Sequence, residues 1–168
     1  KHSRIIKSLD FFSHKDNKIH LLCIDANSLI YDSLGKMKQE AYIGDIENEI
    51  IERVKKQIIY YIELYQPTEQ VYIAFDGVAP VAKLNQQKNR RYKSWYQANL
   101  FNKPVIWDTC SITPGTAFMD KLNKAITDKF SKKVKNNIIL SLSDIPGEGE
   151  HKIFEYIRAN DHLTDNTL

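Results

Sequence analysis

From residue 20 onward the chain alternates short, continuous apolar runs with longer stretches in which apolar residues return every fourth position. The run LLCIDAN after His20 is too short for a helix and ends on Asp-Ala-Asn, which predicts a buried strand delivering polar residues at its carboxyl end. In residues 45–65, Ile46, Ile50, Val54, Ile58 and Ile62 keep i, i+4 spacing, so a helix with one apolar face is expected, closed by Pro67. Residues 71–75, VYIAF, repeat the first pattern and stop at Asp76-Gly77. A helix is expected to begin near Ala79 or Pro80 and run to about Leu100. After Pro104 and the turn Thr113-Pro114-Gly115, Thr116 has the chemistry of an N-cap. The helix it opens carries Phe118, Leu122, Ile126 and Phe130 on one face. Residues 138–142 form a third apolar run, followed by SDIPGEGE and a short helix bearing Ile153, Phe154 and Ile157. Residues 1–18 mix basic and aromatic side chains without a clean period, although Ile5, Ile6, Leu9 and Phe12 suit the end of an amphipathic helix.

Strand, helix, strand, helix, helix, strand, helix is the order of an α/β domain with a largely parallel central sheet flanked by helices. Right-handed crossovers put the carboxyl ends of such strands on one side. A chain of 168 residues with 42% hydrophobic content can bury a sizeable core. It shows no repeat, linker or internal boundary, so residues 1–168 are taken as a single unit. Cys23 and Cys110 make neither a disulfide framework nor a zinc motif, and a reducing compartment, cytoplasm or nucleus, is expected. No apolar stretch approaches the roughly 20 residues of a membrane span.

Net charge is only +3, so local distribution carries more than the total. Asp25 follows the first strand, Asp76 the second, and Asp144, Glu148 and Glu150 the third, which brings them to the edge where open α/β sheets bind ligands. Gathered carboxylates repel and take up protons unless a cation offsets them, and hard oxygen donors suit Mg²⁺ or Mn²⁺ rather than zinc. An Asp after a strand also serves simply to cap a turn or the next helix.

The helix after Asp76 adds a second feature. Lys83, Gln87, Arg90, Arg91 and Ser94 fall at i, i+4, i+7, i+8 and i+11 on one face, in a segment without acids to pair them. Such a face can hold a terminal phosphate; its ordinary alternative is a solvated helix surface. Tyr92, Trp95, Tyr96 and Phe101 fit helix packing, whereas Tyr31, six residues past Asp25, could stack on a nucleobase. The glycines of Gly147-Glu148-Gly149-Glu150 alternate with acids that would repel phosphate, so this loop suits metal ligation at a helix start. His151 fits a hydrogen-bonding helix residue better than a ligand. There is no P-loop and no context for a covalent nucleophile.

The blocks CIDANSLIY, VYIAFDGVAPVAKLNQQKNRR, SITPGTAFM and IPGEGEHKIFEYIR, in this order, resemble the signature blocks of the eukaryotic-type 5′→3′ exoribonuclease family, the Xrn/Rat enzymes within the PIN and flap-nuclease superfamily. The resemblance implies a PIN/flap-nuclease-like fold and processive removal of nucleoside 5′-monophosphates from single-stranded RNA with a 5′-monophosphate. It places Asp25, Asp76, Glu148 and Glu150 among the acids that hold two Mg²⁺ or Mn²⁺ ions, and Asn27 on an active-site Asn. Lys83, Gln87, Arg90 and Arg91 fall on its 5′-phosphate pocket, and Tyr31 stands where the family usually stacks a histidine on the first base. The family's opening Met-Gly-Val-Pro segment and a later Asp-x-Asp strand have no counterpart here. The chain is therefore expected to be the N-terminal part of a catalytic domain, incomplete at both ends and inactive alone. Two rivals remain: a non-catalytic RNA-binding fragment or inactive remnant, and a flap-type DNA nuclease, which would share the acids but not the phosphate-binding face.

Overall fold

The computed structural model describes residues 18–40, 42–83, 85, 88, 89, 92, 93, 96, 107–131 and 137–160. Three parallel strands, β1 (Leu21–Asp25), β2 (Gln70–Ala74) and β3 (Asn137–Ser141), form a sheet in the order β1-β2-β3. Asp25 pairs with Ala74 and Ala74 with Ser141, so the three strands finish level with one another. The ladder runs on past them, because Ala26 N–H donates to Ala74 O at 2.8 Å and Phe75 N–H to Ser141 O at 2.9 Å.

Side chains alternate across this sheet, as the pleat requires. Leu22, Ile24, Val71, Ile73, Phe75, Ile138 and Leu140 point into the main core. Leu21, Cys23, Tyr72, Ala74 and Ile139 point to the opposite face. Both faces of the central strand are therefore covered, which is why its sequence carries no charged or small polar residue from Val71 to Phe75.

The main core is closed by α1 (Asn27–Gln39), α2 (Ile46–Tyr65) and α3 (Ala117–Phe130). Ile50, Val54 and Ile58 of α2 and Phe118, Leu122, Ile126 and Phe130 of α3 are buried, as their spacing predicts. Asp45 caps α2 by accepting from Asn48 N–H, and Thr116 caps α3 by accepting from Met119 N–H. Gln66 ends α2 in the left-handed region, at φ 46°, just before Pro67.

On the other face lies α4 (Gly149–Ala159), with Ile153 and Ile157 against the sheet and the Tyr156 ring stacked on Tyr72 at 4.2 Å. Two expectations change here. Phe154, grouped with Ile153 and Ile157 in the sequence, is 55% exposed; Tyr156, one turn from Lys152 and Ile153, takes the inward place. Helix α1 also stands as a full 13-residue element between β1 and α2, which the strand-helix-strand reading did not count separately. Leu29, Ile30, Leu34 and Met37 bury one side of it despite the surrounding Asn, Ser and Gly residues.

Between Pro80 and Trp107, the described residues 81–83, 85, 88, 89, 92, 93 and 96 are helical. Tyr92 and Tyr96, expected to pack on this helix, are 67% and 53% exposed. A three-residue 3₁₀ turn, Thr109–Ser111, precedes α3. Among the described residues no helix is long and apolar enough to cross a membrane.

Candidate metal and phosphate site

Because the strands end level, the segments leaving them meet at one edge of the sheet. Asp25 is the last residue of β1, Asp76 lies two residues beyond β2, and the loop after β3 brings in Glu148, Gly149 and Glu150. Asn27, in the first turn of α1, ties two of these ends together. Its Nδ2 donates to Asp76 Oδ2 at 2.7 Å, and its Oδ1 accepts from Asp76 N–H at 3.1 Å. Asn27 N–H also points at Asp25 Oδ1, at 3.3 Å. The other Asp76 oxygen, Oδ1, accepts the Gly149 N–H at 2.7 Å, from the opening residue of α4. That is a charge-assisted bond at a helix N-terminus, where a carboxylate is favoured. Each Asp76 oxygen thus holds one donor and keeps lone pairs for a further partner.

Gly149 is required by the closeness of these acids. A Cβ there would lie 2.8 Å from Asp25 Oδ1 and 3.4 Å from Asp76 Oδ1, so both carboxylates crowd onto its bare Cα. Gly77 has the same character on the main chain: a Cβ would fall 1.8 Å from the carbonyl oxygen of Ile145. The segment after β2 and the loop after β3 are laced together there, Gly77 N–H to Gly147 O at 2.8 Å and Gly147 N–H to Val78 O at 3.1 Å. Gly147 turns that loop with φ 105°.

Burial first, and the neighbouring acids after it, act on the Asp25 carboxyl. Loss of water around its carboxyl raises its pKa above the ordinary value, the Asn27 N–H opposes this, and the charges of Asp76 and Glu150 add to the rise. Glu148, Glu150 and His151 each offer a ligand atom, all within 4.8 Å of one another. His151 Nδ1 lies 3.6 Å from Glu148 Oε2, so the histidine stands beside the acids rather than apart from them, a placement the sequence reading did not give it.

Lys152 is the residue that sequence reasoning passed over. It is only 5% exposed, and its Nζ donates to Phe75 O at 2.8 Å and Leu142 O at 2.9 Å, the carbonyls where β2 and β3 give way to their acidic loops. Burial lowers its pKa, against the pull of Asp76 and Asp144. A signal existed: Gly149, Lys152, Ile153, Tyr156 and Ile157 share the helical stripe that faces the sheet.

Lys83, in the first turn after Pro80, donates through Nζ to Glu148 Oε2 at 2.6 Å. The absence of acids near it in the sequence therefore does not leave it unpaired, since its partner arrives from 65 positions away. Gln87, Arg90 and Arg91, the rest of the expected phosphate face, lie outside the described residues, as do Ser94, Trp95 and Phe101. Tyr31 is 52% exposed and sits one turn beyond Asn27 on α1.

A parallel α/β layer structure with acids drawn to the carboxyl ends of its strands is consistent with a PIN-like domain. Comparison with known proteins makes the assignment specific. Residues 1–167 match the family described as XRN 5′-3′ exonuclease N-terminus, and the chain belongs to that family. It is 34% identical over 155 residues to 5′-3′ exoribonuclease 1 of Saccharomyces cerevisiae, covering 82% of this chain and 10% of that protein. It is 31% identical over 176 residues to 5′-3′ exoribonuclease 2 of Eremothecium gossypii, covering 88% of this chain and 18% of that protein. With 5′-3′ exoribonuclease 2 of Schizosaccharomyces pombe the identity is 32% over 167 residues, 82% of this chain and 17% of the relative. The chain thus spans less than a fifth of the length of these curated relatives.

Proposed function

We propose that this chain forms part of the catalytic region of a metal-dependent, processive 5′→3′ exoribonuclease that degrades RNA bearing a 5′-monophosphate to nucleoside 5′-monophosphates. The observation that carries the reading is the convergence of Asp25 and Asp76 on Gly149, between Glu148 and Glu150, in a chain of the XRN 5′-3′ exonuclease family. The donor set suits hard divalent ions. It is built of carboxylate oxygens, one of them bared by a glycine, with Asp76 held by an amide on one side and a backbone N–H on the other.

Asp25, Asp76, Glu148 and Glu150 would hold Mg²⁺ or Mn²⁺. Such ions supply an activated water and charge stabilisation at the phosphodiester. The chain's own residues do the rest. Asn27 orients Asp76 and joins the ends of β1 and β2, while Lys152 fastens the ends of β2 and β3 from beneath. On the substrate side Lys83, with Gln87, Arg90 and Arg91, would take the terminal phosphate, a pocket that a cap or triphosphate would overfill. The exposed ring of Tyr31 would stack on the first base.

The test uses the intact protein with labelled RNA, either 5′-phosphorylated or 5′-hydroxyl, in Mg²⁺. Arg90→Ala with Arg91→Ala is expected to abolish the preference for the phosphorylated end. Equal degradation of both RNAs by the unmutated protein would sink the pocket assignment. Asp76→Asn should remove turnover and spare RNA binding in EDTA, and retained turnover would refute its metal role.

A further inference from the structure

Lys83 links the two halves of this site. Its partner Glu148 belongs to the acid group, with a side chain only 16% exposed, whereas the lysine is 42% exposed on the outer side. Main-chain bonds fix both ends of the pair. Lys83 N–H donates to Pro80 O at 2.8 Å, and the Gly77–Gly147 and Gly147–Val78 bonds hold its segment against the loop that carries Glu148. With both backbones held, rearrangement falls to the side chains, and the more exposed lysine, a flexible stem with a rotatable head, is the freer of the two. A dication on Glu148 and an ammonium on the same carboxylate repel each other at short range.

We propose that Lys83 is shared between Glu148 and the 5′-phosphate of the RNA, and that divalent metal binding at the acids releases it to the phosphate. Lys83 serves as the counter-charge of Glu148 in the metal-free protein and as a specificity residue in the loaded one. Metal and terminal phosphate then bind cooperatively, and by thermodynamic reciprocity each tightens the other by the same factor. The inference rests on the metal and phosphate assignment proposed above.

The test measures binding rather than turnover. Mn²⁺ affinity of the intact protein is read by electron paramagnetic resonance of the free ion. Affinity for oligoribonucleotides with a non-hydrolysable first linkage, 5′-phosphorylated or 5′-hydroxyl, is read by anisotropy with and without Mn²⁺. In the unmutated protein Mn²⁺ is expected to raise the 5′-phosphate over 5′-hydroxyl preference by about fivefold or more. Lys83→Met should bind Mn²⁺ several-fold more tightly without RNA and show a phosphate preference that no longer changes with Mn²⁺. Lys83→Arg, which keeps the cation, should retain the coupling. If Lys83→Met binds Mn²⁺ no more tightly than the unmutated protein, or if metal and phosphate bind independently in that protein, the exchange is refuted while the site assignment stands. If the unmutated protein binds neither Mn²⁺ nor the 5′-phosphate, the assignment itself falls.

Discussion

Gly149→Ala separates the geometry of the acids from the stability of the fold. The added Cβ would lie 2.8 Å from Asp25 Oδ1, 3.2 Å from its Cγ and 3.4 Å from Asp76 Oδ1. Ordinary contact begins at 3.4 Å, so the Asp25 carboxylate must retreat by 3.4 − 2.8, about 0.6 Å. Metal–ligand distances in proteins hold to within about 0.2 Å, so this retreat is enough to spoil the donor set. Mn²⁺ affinity is expected to fall by about tenfold or more. The fold should hardly notice, because the clash is with the end of an exposed side chain that can turn away. Alanine also gains up to about 1 kcal/mol over glycine within a helix. Urea unfolding without metal and calorimetric titration with Mn²⁺ measure the two quantities on the same sample. Unchanged Mn²⁺ affinity would refute the convergence of Asp25 on Gly149, and a stability loss above about 3 kcal/mol would show that the glycine serves the backbone instead.

Gly77→Ala behaves differently, since its Cβ would meet the Ile145 carbonyl at 1.8 Å and only the main chain can yield. A loss above about 3 kcal/mol in chemical denaturation is expected, and a loss below about 1 kcal/mol would contradict the close approach. Lys152→Met keeps the bulk of the stem and removes the donor to Phe75 O and Leu142 O. Two buried carbonyls losing a charged donor cost about 3 kcal/mol, read as a lower denaturation midpoint with unchanged slope; an unshifted midpoint would rule out the clamp. For Asp25 the sign comes from its raised folded pKa. Its stabilising contribution is complete below the ordinary value of 3.8 and is lost as pH rises through the folded value. Asp25→Asn should therefore make the metal-free protein more stable at neutral pH and flatten its pH dependence above 3.8, and a thermal-melting series in which the variant is less stable at neutral pH would overturn the argument.

Much of the fold was legible along the chain because its signals are local. The fourfold recurrence of Ile50, Val54 and Ile58, and of Phe118, Leu122 and Ile126, marks two helices whose faces are in fact buried, and Asp45 and Thr116 start them. The three apolar runs are the three strands, and their parallel order is set by the helices between them. Helix α1 was harder to see as an element of its own, because Asn27, Ser28, Ser33 and Gly35 dilute its apolar stripe, and burial against α2 and the sheet outweighs weak propensity. Phe154, two residues from Tyr156, falls on the other side of α4, and it is Tyr156 that faces the sheet, its ring stacked on Tyr72 and its hydroxyl donating to Gln70 Oε1 at 2.5 Å.

What the sequence determined by itself is the set of parts: which residues are acids at strand ends, which segment is dense in cations, and the family to which those blocks belong. Distances between parts are different, since they depend on how two crossovers superpose, and no local rule contains them. Only the tertiary structure brings Lys83 onto Glu148, seats Asp25 and Asp76 against one glycine, and slides Lys152 under two strand ends. Each of these joins residues far apart in the chain, and each is a charge or a close contact whose partner is chosen by packing.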